Sequence, residues 1–154
     1  MNSRKLNMIV RPVAESDFPA WAAMRVRLWP DEDAGELARE TRTMSELDPP
    51  CVAFVAEAKD GGLVGFVEVG MRSYAEGGPA AVAAYVEGVW VEPDHRRRGV
   101  ARALLDAAAQ WGGDQGATWL GSDALLDNEA SDAWHRAVGF DEIERLVVFG
   151  TPVG

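Results

Sequence analysis

The chain's clearest chemical signal is Arg96-Arg97-Arg98-Gly99, which follows the apolar run Val89-Trp90-Val91 and the break at Pro93 and precedes Val100-Ala101-Arg102. In this order a strand meets a turn, and a glycine opens a helix. The first N–H groups of a helix lack internal partners and point at whatever lies off its N-terminus, so the arrangement is an anion site built from backbone. Gly99 lets the main chain approach a phosphate closely. The arginine forks add donors that suit phosphate oxygens. Four of the 15 basic residues fall between 96 and 102, in a chain of formal net charge −10. A basic knot on an acidic chain points to a phosphate-bearing small ligand. His95 beside it reads as loop structure or as a weak neighbour of the phosphate.

The carboxylates form the second chemical group. Glu87 opens the strand that feeds the arginines, Asp123 follows a predicted strand at 117–122, and Glu144 stands in a predicted strand at 143–149. Acids on three separate elements suit a cationic ligand with several amines, but their spacing does not single these three out. A solvated surface position is the ordinary fate of any one of them. A charge-assisted hydrogen bond contributes roughly 1.5–3 kcal/mol, so three give micromolar-class recognition once desolvation is subtracted.

The elements that must position these groups follow from spacing. Asn7 to Arg11 reads as a first strand, and Ser16-Asp17 caps a helix carrying Phe18, Trp21, Met24, Arg25 and Leu28 at helical intervals. Asp31-Glu32-Asp33 starts a second helix running to about Leu47, ahead of Pro49-Pro50. Cys51 to Glu57 and Leu63 to Arg72 form a hairpin about the turn Lys59-Asp60-Gly61-Gly62. Val82 to Val91 is the next strand. The helix behind the arginine knot aligns Val100, Leu104, Ala107, Ala108 and Trp111 and is expected to stop at Gly112-Gly113. A short helix from Asn128 to Ala137 closes at Gly139. The order β-α-α-β-β-β-α-β-α-β implies an α/β fold: a mixed sheet with helices on both faces, as one domain spanning residues 1–154.

Composition removes several classes. A sequence pI near 4.6 disfavours nucleic acid, which needs a basic footprint, and favours cationic partners. No apolar run is long enough to span a membrane, and Met1 to Met8 lacks the apolar core of a signal peptide. One cysteine and two separated histidines argue for a reducing cytoplasm and against a metal site. Cys51, on an expected buried strand far from the arginines, is a poor candidate for a covalent intermediate.

The spacing Arg96-x-x-Gly99-x-Ala101, with its strand before and helix after, resembles the acyl-CoA signature of the GCN5-related N-acetyltransferases. The similarity extends over nearly the whole chain and implies that family's acyltransferase fold, with six to seven strands. It also implies acetyl-CoA as co-substrate and no metal. Arg96, Arg97, Arg98, Gly99, Val100, Ala101, Arg102 and Asn128 then match cofactor positions. By position, Val89, Trp90 and Val91 are the splayed-strand residues whose backbone meets the pantetheine arm and thioester.

Leu28-Trp29, Tyr74, Glu87-Gly88 and the segments 122–128 and 134–140 resemble in particular the aminoglycoside 6'-N-acetyltransferases. Residue by residue, Trp29, Tyr74, Glu87, Asp123 and Glu144 match substrate positions, which is what singles out the three acids, and Glu32 falls at a further one. Trp29 would lie against a sugar face; the other five tryptophans read as packing. The resemblance implies direct attack of the 6'-amine on the thioester within a ternary complex, antibiotic resistance as the outcome, and a homodimer, with the last strand as the expected joint. Glu87 or Asp123 is the expected base. Many relatives protonate the thiolate with a tyrosine whose position here is His135, so the leaving-group acid is either this imidazole or an unassigned group, with His135 then a surface residue. Alternative readings keep the fold and change the acceptor to another small amine or a protein N-terminus, or make the chain a non-catalytic acyl-CoA-binding module.

Overall fold

Five strands and four helices are seen in a computed structural model that describes residues 7–79 and 81–154. The reading of the extreme N-terminus as lacking a signal-peptide core rests largely on residues outside that range. The strands are β1 (Met8–Pro12), β2 (Cys51–Ala58), β3 (Leu63–Arg72), β4 (Ala83–Val91) and β5 (Leu120–Gly121). They lie side by side in sequence order. The first four pair antiparallel, and β5 joins β4 in parallel. The helices are α1 (Phe18–Leu28), α2 (Ala34–Thr43), α3 (Val100–Asp114) and α4 (Glu129–Ala137).

The two sheet faces bury different cores. One packs Val67, Val69, Ala84, Val86 and Val91 against Val100, Leu104, Leu105 and Ala108 of α3. The other packs Val55 and Phe66 against Trp21 and Met24 of α1. Helices therefore cover both faces, as the element order predicts. The Asp33 carboxylate caps α2 by accepting the Glu36 N–H at 2.8 Å, which matches the acidic helix start expected there. Asp17 departs from its expected role. Its carboxylate reaches back to the Ala14 N–H at 2.7 Å and pairs with Arg11, and the Arg11 guanidinium holds it below the usual carboxylate range.

Beneath the α1 face lies a buried ionic knot. Arg25 donates to Glu68 Oε1 at 2.7 Å, to the Leu37 carbonyl at 2.7 Å and to Glu40 at 2.9 Å, while Trp21 Nε1 donates to Glu68 at 3.1 Å. It ties α1, α2 and β3 together. Burial pushes the Glu68 carboxyl up to about 7, against the pull of Arg25. Removing one partner of such a pair leaves an uncompensated buried group, at a cost of about 3–5 kcal/mol.

Three expectations fail here. First, α3 does not stop at Gly112-Gly113 but continues to Asp114. Gly112 is there for close packing: a Cβ on it would stand 2.5 Å from the Ala84 Cβ. Second, the strand expected over 117–122 shrinks to Leu120–Gly121. Third, the strand expected over 143–149 does not form, so among the described residues the sheet has five strands rather than six or seven. Backbone donors need a paired neighbour to make a strand, and among the described residues no strand pairs with this segment. Its apolar side chains face outward, with Phe149 89% exposed.

Candidate active site

Strand β4 carries the site, and a bulge organises it. Opposite β3, Gly88 pairs with Glu68 and Val86 pairs with the next residue, Val69, so Glu87 is left without a partner. The extra residue reverses the parity of the strand. Ala84 and Val86 face α3 before the bulge, and Val89 and Val91 do so after it. Glu87 itself projects outward. Bulges of this kind re-aim side chains beside active sites.

On its other edge β4 is paired only at Ala84 and Tyr85, which meet Leu120 and Gly121. From Val86 to Val91 this edge has no strand partner among the described residues. An extended ligand could therefore lie along this edge, which carries Val89, Trp90 and Val91, although the Val91 carbonyl already accepts from Arg96. The segment leads into the arginine loop, where Arg97 (φ 59°) and Gly99 (φ 83°) both take left-handed backbone. A non-glycine residue held there marks a loop shaped for a purpose. Gly99 is the residue before the first turn of α3, so the helix N-terminus opens at the end of the free edge.

The arginines divide by task. Arg97 and Arg98 are exposed at the loop. Arg96, also exposed, folds back on its own strand: it donates to the Val91 carbonyl at 2.9 Å and lies 5.0 Å from the Trp90 ring centre. Arg102 donates to the Val138 carbonyl at 2.8 Å and pairs with Asp106. Val100 is buried in the α3 core, and Ala101 is half-buried beside it. The Asn128 side-chain oxygen caps α4 through the Ser131 N–H at 3.0 Å. This leaves the Asn128 amide NH₂ for a ligand.

At the other end of β4 the acceptor-side residues assemble. Trp29 ends α1 with its ring laid on Gly88, where a Cβ would stand 2.5 Å from the ring edge. Arg25 lies 5.1 Å from that ring and Phe66 6.4 Å. Asp123 accepts the Tyr85 hydroxyl at 2.8 Å. Glu87 accepts from Arg72, whose guanidinium lies 3.5 Å from the Tyr85 ring centre. Trp29, Glu87 and Asp123 are thus linked through Gly88, Arg72 and Tyr85. Tyr74 stands 59% exposed in the loop after β3. The Glu144 carboxylate lies near Gly77 in the same loop, where φ is 67° and a side chain would strike Ile143. Glu32 is exposed in the turn after α1, its N–H bonded to the Trp29 carbonyl.

Two further groups have settings that bear on their expected roles. Cys51 is half-buried and lies near Gly70, whose Cβ position is 3.6 Å from the sulfur and 3.8 Å from Glu87. It is therefore beside the acidic end of the site. Burial, with Glu68 and Glu87 nearby, pushes its thiol up to about 12, which keeps it a thiol at neutral pH. His135 has both ring nitrogens engaged, Nε2 with Ser122 Oγ at 2.8 Å and Nδ1 with the Ser131 carbonyl at 2.7 Å. The carbonyl can only accept, so Nδ1 carries a proton, and in the neutral ring Nε2 accepts from the serine.

Arg72, Tyr85 and the Arg25–Glu68 pair were missed by sequence reasoning. A lone acid in the apolar strand 63–72, set against a lone base on the apolar face of α1, was the available signal for the buried pair.

The Acetyltransferase (GNAT) family model matches residues 14–140. Among curated proteins, the chain is 37% identical to an aminoglycoside N(6')-acetyltransferase type 1 of Klebsiella aerogenes, over 94% of this chain and 97% of that one. It is 39% identical to a protein of the same name from Stenotrophomonas maltophilia, over 94% and 93%. Among solved structures, it resembles the aminoglycoside antibiotic 6'-N-acetyltransferase AAC(6')-Ih from Acinetobacter baumannii. That match has a TM-score of 0.88 and 33% identity, covering 96% of this chain and 99% of the other. Also similar, at 29% identity and TM-score 0.88, is AAC(6')-Iy in complex with the bisubstrate analogue CoA-S-monomethyl-acetylneamine, with 95% and 99% covered.

Proposed function

Because the chain belongs to the GNAT acetyltransferase family, we propose that it transfers the acetyl group of acetyl-CoA to the 6'-amine of aminoglycosides, as one domain over residues 1–154. The observation that carries this reading is the polarity of β4. A left-handed arginine–glycine loop and a helix N-terminus lie at one end, and Glu87, Asp123 and Trp29 gather at the other. From Glu87 to Val91 the strand rises about 13 Å. An acyl-CoA lying along the free edge would meet the loop with its pyrophosphate and bring its thioester to the bulge.

In this scheme Arg97, Arg98 and the N–H groups at Gly99, Val100 and Ala101 receive the pyrophosphate. Arg96 and Arg102 shape the loop and the α3–α4 junction. Asn128 offers its amide to the cofactor. Of Val89 to Val91, the backbone N–H nearest the bulge polarises the thioester carbonyl as its oxygen gains charge, and the rest of the edge lines the pantetheine arm. Trp29 supports a sugar ring, and Glu32, Tyr74 and Glu144 hold outlying amines and hydroxyls. Glu87 or Asp123 takes the ammonium proton, directly or through water, and the freed amine attacks the thioester. Alignment of amine and thioester supplies much of the rate. His135 protonates the thiolate only in its doubly protonated form, when Nε2–H donates to Ser122 Oγ and that hydroxyl donates onward. The un-ionised thiol of Cys51 favours direct attack over an acetyl-cysteine route.

The exposed 143–149 segment supports a homodimer. Its strand-like residues have open backbone donors, and a second copy of the chain offers the missing neighbour. Deleting residues 143–154 is expected to convert dimer to monomer in sedimentation equilibrium; a wild-type monomer would overturn the dimer reading. The single cysteine favours a cytoplasmic setting, in which such an enzyme confers resistance.

Thiol release from acetyl-CoA, with kanamycin or tobramycin compared with an aminoglycoside lacking a 6'-amine, tests the activity. Release only with the 6'-amine drugs is expected. Turnover confined to polyamines or peptides would transfer the assignment to those acceptors.

A further inference from the structure

We propose that Arg72 is a positioning residue for the acceptor site, holding the Glu87 carboxylate in the orientation in which it receives the substrate ammonium. This rests on the assignment of Glu87 to the acceptor. Glu87 sits on the bulge, without a cross-strand partner to fix its backbone. Its side chain is 38% exposed, so packing does not fix it either. Arg72, the last residue of β3, supplies what is missing. Its Nη2 donates to Oε1 and Oε2, each at 3.0 Å, and its Nε donates to Oε1 at 3.2 Å. A carboxylate offers about four lone-pair positions, so three contacts leave little more than one for an incoming ammonium.

The guanidinium is in turn held flat. Its carbon lies 3.5 Å from the centre of the Tyr85 ring, and the Tyr85 hydroxyl donates to Asp123 at 2.8 Å. Tyr85 is buried, so the plane on which Arg72 rests is fixed. Glu87 and Asp123 thereby receive a common reference: one ring stacks the base that aims the first and donates to the second. Lysine has the charge but neither the planar fork nor the stacking surface, so it replaces only part of this role.

The test is a double-mutant cycle read in steady-state kinetics with kanamycin. Arg72→Met is expected to lower kcat/KM for the aminoglycoside roughly tenfold or more, the order of one charge-assisted hydrogen bond, while KM for acetyl-CoA is unchanged. Arg72→Lys should recover part of the loss. In a Glu87→Gln background the same Arg72→Met change should cost less than about twofold, because Arg72 acts through Glu87. An undiminished Arg72→Met loss in that background would overturn the proposal. So would full activity of Arg72→Met, or loss of acetyl-CoA binding along with the acceptor. A wild-type protein that acetylates no aminoglycoside would instead remove the acceptor assignment, and the proposal with it.

Discussion

Replacing Gly88 by alanine tests how Trp29 is held. The added Cβ would lie 2.5 and 2.6 Å from two carbons of the Trp29 ring and 3.1 Å from Leu28 Cδ2. Leu28 can rotate away, but the indole has little freedom. Its other neighbours are Phe66, 0% exposed, and Arg25, fixed by Glu68, the Leu37 carbonyl and Glu40. To restore ordinary contact the ring must move by about 1 Å, and overpacking of this kind costs about 1–3 kcal/mol. For a chain of this length that lowers Tm by roughly 2–12 °C. The same displacement takes the aromatic face away from the sugar, so KM for the aminoglycoside should rise and KM for acetyl-CoA should hold. Differential scanning calorimetry and steady-state kinetics of Gly88→Ala measure both. The decisive control is the Trp29→Ala background, where the obstacle is gone and Gly88→Ala should be nearly silent in Tm. An equal drop in that background, or none in the wild type, would refute the argument.

Three further outcomes are expected. Glu68 has a folded-state value near 7, above its ordinary 4.5, so the stability it confers is complete below about 4.5 and lost as pH rises through about 7. Wild-type stability should therefore fall more steeply than that of Glu68→Gln between pH 5 and 8, a comparison made by urea titration at each pH. Tyr85→Phe removes the donor to Asp123 and should reduce kcat/KM for the aminoglycoside by roughly tenfold with little change in Tm, whereas a large Tm loss would make Tyr85 a packing residue. Gly99→Ala forces alanine to φ 83°, at about 1–2 kcal/mol, and should raise KM for acetyl-CoA selectively. An unchanged value would separate Gly99 from the cofactor loop.

The helices and the arginine loop were legible because their signals are local. Val100, Leu104 and Ala108 mark a face by spacing alone, and Gly99 announces the turn beside it. The bulge at Glu87 was not legible, because inserting one residue in β4 matters only when register with β3 is known. Gly112 misled for a similar reason. In sequence it reads as a helix stop, while in space it is the point where α3 touches Ala84. Arg72 at a strand end resembles any solvated arginine until Tyr85 and Glu87 are seen on either side of it. The 143–149 segment has the residue types of a strand, but a strand also needs a paired neighbour, and among the described residues none pairs with it.

The half-paired edge of β4 also bears on how the protein endures in the cell. An acyl-CoA bound along Val86 to Val91 would fill the slot of an absent strand, so the small molecule would act as a removable piece of the sheet. A ligand that binds only the native state adds stability in proportion to the logarithm of its concentration, roughly 2.7 kcal/mol at a hundred times its dissociation constant. The lifetime of the enzyme would then follow the acetyl-CoA supply: well-fed cells would keep it folded, and starved cells would return it to their proteases.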